Sequence, residues 1–189
     1  MIENFLKSTA AYCMILAPVY IIARYLWMKN RKKRPGREVA MLLFFCYSVS
    51  IFSQTIIPQF SIGDDHIGVA AHAYQNNNLT PFFTISTYME QLQGPFSRIA
   101  FYNLAGNVVL FVPFGFFIPL VWPSFRKWGR MFAVSLAIPL FIEGVQYFIG
   151  RSTDIDDVIL NALAILIGYA LYKMASRLGK FMKNERKRL

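Results

Sequence analysis

Glu143, Gln146, Arg151, Asp154, Asp157 and Asn161 lie within one stretch, residues 141–169, that is otherwise strongly apolar (FIEGVQYFIGRSTDIDDVILNALAILIGY). A carboxylate placed in hydrocarbon must find a partner, reach water or take up a proton, so such a group marks a functional site before anything else is known. Helical spacing sorts these groups into faces. Glu143 shares a face with Gln146 and Tyr147, and Asp154 shares one with Asp157 and Asn161. Asn103 and Asn107, four residues apart on an earlier segment, form a third pair. Three kinds of chemistry are open to this set: hydrogen bonding to a ligand, general-base catalysis by Glu143, and a divalent cation held by Asp154 and Asp157.

Plain structural roles compete with each. Asn103, Asn107 and Gln146, taken singly, read as hydrogen-bonding glue between helices. Thr153 and Asp156 have the spacing of a capping box at the start of the last helix, which suffices for Asp156. Glu143 lies in mid-helix, where capping is unavailable, and is therefore the strongest candidate. The ligand-binding set is Asn103, Asn107, Glu143, Gln146, Arg151, Asp154, Asp157 and Asn161. Glu143 is the catalytic candidate should there be a reaction, and neither a resident metal nor a cofactor is expected.

The elements that must position these groups are membrane helices. The 189-residue chain is 56% hydrophobic with a mean hydropathy of +0.39. Apolar stretches at 8–28, 39–60, 101–122, 131–149 and 158–172 approach the roughly 20 residues a helix needs to cross a bilayer. The reading is all-α: one polytopic membrane domain over 1–189, with five transmembrane helices in a bundle. The first stretch has only Lys7 ahead of it, lacks a small-x-small cleavage site and is followed by its charge cluster, so it reads as a retained helix.

Charge orients the bundle. The excess of 20 Lys and Arg over 10 Asp and Glu would suggest nucleic acid on a soluble chain. Here the basic residues cluster at 29–37, 126–130 and 173–188, while the alternate loops are mainly acidic, and this pattern marks the basic loops as cytoplasmic. The N-terminus is then outside and the C-terminus inside, nucleic acid is excluded as a partner, and membrane lipid is the expected surroundings. Cys13 and Cys46 sit on separate apolar helices at what look like different depths, which argues for inert thiols.

Residues 61–100 form the one long connection, an extracellular loop in this topology. Its second half, LTPFFTISTYMEQL, predicts a short interfacial or re-entrant helix opening at Thr80-Pro81, or else a loop packed over the bundle. Pro113, Pro119 and Pro123 predict a kink or break near Val112. The basic cytoplasmic tail, 173–189, spaces Met174, Leu178, Phe181 and Met182 helically; it would lie along the inner headgroups or serve as a solvated cluster. Counting 1.5 Å per residue places Asn107, Glu143 and Asn161 at a common depth, roughly 9 to 11 Å below the outer surface.

In this order the motifs resemble the VanZ-like family of bacterial membrane proteins. The match runs through Asn78-Leu79-Thr80-Pro81-Phe82, Asn103-Leu104-Ala105-Gly106-Asn107, Pro113-Phe114-Gly115, Glu143 with Gln146, Arg151 with Asp154 and Asp157, and Asn161, covering about half of the chain. Ala164 stands where the family commonly has Gly, which suggests looser helix packing there. The resemblance implies a multi-pass protein of the bacterial cytoplasmic membrane and a part in antibiotic resistance, namely tolerance of teicoplanin or related glycopeptides, with no settled mechanism.

Three functions follow as expectations. The leading one is non-enzymatic: an outward-facing polar pocket in the outer leaflet binds a lipoglycopeptide or a lipid-linked cell-wall precursor, Arg151 meeting an anionic head. The second is a carboxylate-dependent enzyme acting on an envelope lipid. His66 and His72 lie in the outer loop, and neither Gly-x-Ser-x-Gly nor His-Glu-x-x-His occurs, so known signatures give it no support. The third is a small proton-coupled transporter, for which five helices without a repeat are poorly suited unless the protein forms a homo-oligomer.

Overall fold

The computed structural model describes residues 2–28, 35–55, 60–62, 67–69 and 77–185. The basic run 29–34 and the middle of the 61–100 loop, including His66 and His72, lie outside the described residues. The chain divides into two compact units, Met1–His72 and Ala73–Leu189.

The first unit holds α1 (Ile2–Met28) and α2 (Pro35–Thr55). A two-stranded antiparallel ribbon follows, β1 (Phe60–Ile62) with β2 (Ile67–Val69), Ser61 opposite Gly68. Arg24 holds Glu38 through two bonds, Nε to Oε2 at 2.8 Å and Nη2 to Oε1 at 3.0 Å. Tyr20 stacks on Phe45 at 4.3 Å between ring centroids. The Cys13 thiol donates to the Cys46 carbonyl at 3.8 Å. The two free cysteines therefore face each other at one level of the helix pair, not at different depths as sequence counting suggested; two opposed helices of unequal overhang defeat such a count.

The second unit is a membrane helical bundle: α3 (Phe83–Gln91), α4 (Ser97–Val121), a 3₁₀ turn (Pro123–Arg126), α5 (Trp128–Phe148) and α6 (Ile155–Glu185). Among the described residues, four segments are long and apolar enough to cross a membrane: Pro35–Ser53, Ser97–Val121, Trp128–Phe148 and Ile155–Gly179. The apolar core of α1, Tyr12–Leu26, is shorter. Helix α4 runs through Pro113 and Pro119 without interruption, so the expected break near Val112 is absent. Proline within a membrane helix is tolerated where neighbours cover the freed carbonyls.

Helices α4 and α6 make the most intimate contact, and Gly115 and Gly168 explain it. A Cβ on Gly115 would collide with the carbonyl of Ile165, and one on Gly168 with the carbonyl of Val112. Between two helices in lipid there is little hydrophobic driving force, so close backbone approach at small residues supplies the packing. Phe111, Phe114, Ile118, Ala164, Ile165 and Tyr169 bury themselves around this crossing. Helix α5 contributes a narrower stripe, Met131, Ser135, Pro139 and Ile142, repeating every three to four residues. Helix α6 continues unbroken through Glu185, so the basic tail as far as Glu185 extends a helix long and apolar enough to span instead of starting a new one; Met174, Leu178 and Phe181 stand exposed along it.

Candidate functional site

The turn between α5 and α6 brings the polar groups together, and its geometry starts from Gly150. With φ of 77° this residue occupies the left-handed region that glycine enters without steric cost. The Gly150 N–H donates to the Tyr147 carbonyl at 3.2 Å and the Arg151 N–H to the Gln146 carbonyl at 2.9 Å, a Schellman ending for α5. The chain then doubles back, and the Asp154 N–H donates to Glu143 Oε2 at 3.0 Å. Glu143, mid-helix and half-buried, thus fixes the start of α6, a capping role that the sequence reading held unavailable to it because the helix it caps is not its own.

Asp154 is the N-cap of α6. Its Oδ1 accepts from the Asp156 N–H at 2.9 Å and from Asn78 Nδ2 at 3.1 Å, and its Oδ2 accepts from the Thr84 hydroxyl at 2.5 Å. Asn78 is fully used: Nδ2 also donates to Thr84 Oγ1 at 3.0 Å, and Oδ1 accepts from the Thr80 N–H at 3.0 Å in an Asx turn. Its backbone forms a parallel bridge with Asp154, Asn78 N–H to the Thr153 carbonyl at 2.9 Å and Ile155 N–H to the Asn78 carbonyl at 3.0 Å. Asn77 Oδ1 accepts from both the N–H and the hydroxyl of Thr153.

Asp156 overturns its sequence reading. It is 0% exposed, and its carboxylate leaves its own helix to accept three backbone N–H bonds at the start of α3: Phe82 at 2.5 Å, Thr84 at 2.7 Å and Ile85 at 3.0 Å. The Thr153–Asp156 capping box does not form, because Thr153 is engaged by Asn77. Asp156 instead caps a helix more than seventy residues away in sequence. It holds Phe82 at φ 66°, a left-handed conformation uncommon for a bulky side chain, and α3 accordingly begins at Phe83, two residues after Pro81. The short helix expected after Thr80-Pro81 is therefore present, and it is docked on the start of α6.

The remaining candidates separate. Asn107 on α4 donates to Asp157 Oδ1 at 2.6 Å. Asn161, one turn below Asp157, is 5% exposed, and its Oδ1 is buried without a hydrogen-bond partner among the described residues. Arg151 is half-buried, and its charge acts on Glu143 together with those of Asp154 and Asp157. Asn103 is exposed and hydrogen-bonds Tyr88 of α3; burial and then the Asp157 and Asp154 charges raise the Tyr88 phenol above its ordinary value, with the Asn103 bond acting the other way. Gln146 contributes its backbone carbonyl to the α5 ending. Glu143 and Asn107 are thus joined to one helix start through Asp154 and Asp157, whereas Asn161 lies one turn further along α6 outside that set of bonds. Asn77, Thr84 and Tyr88 belong to the same network and were not singled out from the sequence.

Helices long and apolar enough to span a membrane, with a part-buried carboxylate network at the start of α6 and a short helix docked on it, mark a helical membrane protein. Residues 44–176 match the family model described as VanZ/LLP1, and the chain belongs to that family. Protein VanZ of Enterococcus faecium is similar to it, 27% identical over 121 residues, covering 62% of this chain and 65% of the relative. The chain therefore spans just under two thirds of that relative's length. No solved structure matches.

Proposed function

We propose that this VanZ-family protein works in the bacterial cytoplasmic membrane as a multi-pass protein that contributes to tolerance of glycopeptides of the teicoplanin or lipoglycopeptide kind. A polar pocket opening outward between α4, α5 and α6 binds a lipid-tailed or lipid-linked ligand. Asn161 carries this reading: its buried Oδ1, on the helical face that also presents Asp154 and Asp157, lacks a partner among the described residues. A buried acceptor left unpaired costs about 1–3 kcal/mol, and a donor on a ligand would recover it. Arg151, beside Glu143, meets an anionic head; Asn107, Asp157 and Glu143 set the pocket's shape through their bonds.

Two measurements test the proposal. Cysteine labelling in cells should place Lys32 and Lys127 inside and Asn77 and Arg151 outside; a cytoplasmic Asn77 would remove the outward pocket. In a host whose tolerance depends on the protein, Arg151→Gln and Asn161→Leu should lose teicoplanin tolerance at unchanged protein level. Glu143→Gln then separates a charge role, in which tolerance is lost, from a hydrogen-bonding one, in which it is kept. Full tolerance in all three variants would end the assignment.

A further inference from the structure

Where α3 gives way to α4, Leu92, Ser97, Arg98, Phe101 and Tyr102 line a groove of about 340 Å³. It involves none of the carboxylates described above. Arg98 stands exposed on the first turn of α4 and makes no ion pair with a described residue. Phe101 and Tyr102, at 58% and 71% exposure, present their rings beside it. Because α4 is a spanning helix, its first turn falls at headgroup depth, the level where Trp and Tyr belts and snorkelling arginines gather.

Charge and shape select the occupant. The acids at the start of α6 and Glu143 are taken up by protein donors, and Glu90, exposed on the last turn of α3, is not part of the groove lining, which leaves Arg98 as the charged group of the groove. A guanidinium offers a planar fork that matches a phosphate in two parallel bonds. Aromatic and aliphatic walls suit the methylenes of an acyl chain and offer nothing to a hydrated free ion. We propose that this groove binds the phosphodiester headgroup of an anionic glycerophospholipid, Arg98 clasping the phosphate while Leu92, Phe101 and Tyr102 cover the first methylenes of its chains. The proposal stands apart from the glycopeptide reading, since it needs neither Asn161 nor Arg151.

The test uses the full chain in bilayer discs containing trace phosphatidylglycerol or phosphatidylcholine with a photoactivatable group near the top of the chain, the cross-links being mapped by peptide mass spectrometry. Phosphatidylglycerol should label the 92–102 segment in preference to phosphatidylcholine. Arg98→Gln should cut that labelling about tenfold, as expected for loss of one charge-assisted contact, while labelling around Arg126 and Lys173 stays as in the parent. Arg98→Lys, which keeps the charge without the fork, should retain part of it. Equal labelling by the two lipids, or labelling unchanged in Arg98→Gln, overturns the site. Suppression of the phosphatidylglycerol signal by millimolar inorganic phosphate also overturns it, because the groove would then be an ion site.

Discussion

The two ends of the α4–α6 bundle solve the same problem with opposite chemistry. At the end where α4 and α6 begin, orphan backbone N–H groups are met by carboxylates, with Asp156 serving three and Asp154 and Glu143 one each. At the other end, carbonyls are met by cationic and phenolic donors. Arg126 Nε donates to the Pro119 carbonyl at 3.1 Å, and the Arg126 carbonyl accepts from Tyr169 at 2.5 Å and Lys173 at 2.8 Å. Acids at helix starts and bases at helix ends both follow the macrodipole. The difference lies in what is held: one carboxylate, Asp156, takes three backbone N–H groups 71 to 74 positions away and thereby fixes the start of a whole helix, whereas at the basic end Arg126 Nε bonds a carbonyl seven residues back and the Arg126 carbonyl takes one donor each from Tyr169 and Lys173, 43 and 47 positions on. The acidic end docks a helix, and the basic end pins the turn after α4 to the far part of α6.

The largest expected effect follows from that contrast. Asp156→Ala leaves three partly buried N–H groups unmet and frees Phe82 from its left-handed conformation, so thermal unfolding in detergent should show a loss of about 3 kcal/mol or more. Limited proteolysis should open between residues 77 and 92 at the same time. Asp156→Asn keeps the shape but loses the charge, and should fall between parent and Ala. A loss no greater than the roughly 0.3 to 1 kcal/mol of an ordinary dipole contact would mean that Asp156 acts only on its own helix.

The next effect sits between the two ends. Gly168→Ala and Gly115→Ala each drive a methyl into backbone that cannot yield, and should cost about 1–3 kcal/mol or more through forced separation of α4 and α6. Gly144→Ala on α5 meets nothing within 4 Å and should be neutral or stabilising by up to about 1 kcal/mol. Equal behaviour of the three would show that the α4–α6 crossing is looser than its backbone distances indicate.

Much of this comparison was legible in the sequence and part of it was not, for a physical reason. Glu143 and Asn107 announce themselves because hydrocarbon makes any polar side chain expensive, and the charge of the loops marks the basic end. Asp156 was misread because Thr153-x-x-Asp156 has the spacing of a local capping box, and spacing cannot show that Thr153 is already held by Asn77. Asn77 and Thr84 sit in a polar loop where neither burial nor period singles them out. Local rules read local bonds well; a carboxylate serving a helix seventy residues away leaves no local trace.

The smaller effects separate the ends once more. Asn107→Ala removes a charge-assisted bond of 2.6 Å to Asp157 and should cost about 1.5–3 kcal/mol. At the basic end, Tyr169→Phe removes only a hydroxyl from a side chain that is 0% exposed and still packs edge-on against Trp128 at 4.6 Å. The Arg126 carbonyl keeps Lys173 as a second donor, so the acceptor is not orphaned and the full desolvation penalty does not apply. Tyr169→Phe should therefore cost about 1 kcal/mol or less, and Lys173→Gln, whose bond is exposed, less still. The double variant decides between redundancy and independence. If the two donors share one carbonyl as backups, Tyr169→Phe with Lys173→Gln should cost more than the sum of the single losses, because only then is the carbonyl left unmet. Simple additivity in a thermal melt would show that each donor acts alone, and the basic end would then lack the backup that a turn-pinning contact allows.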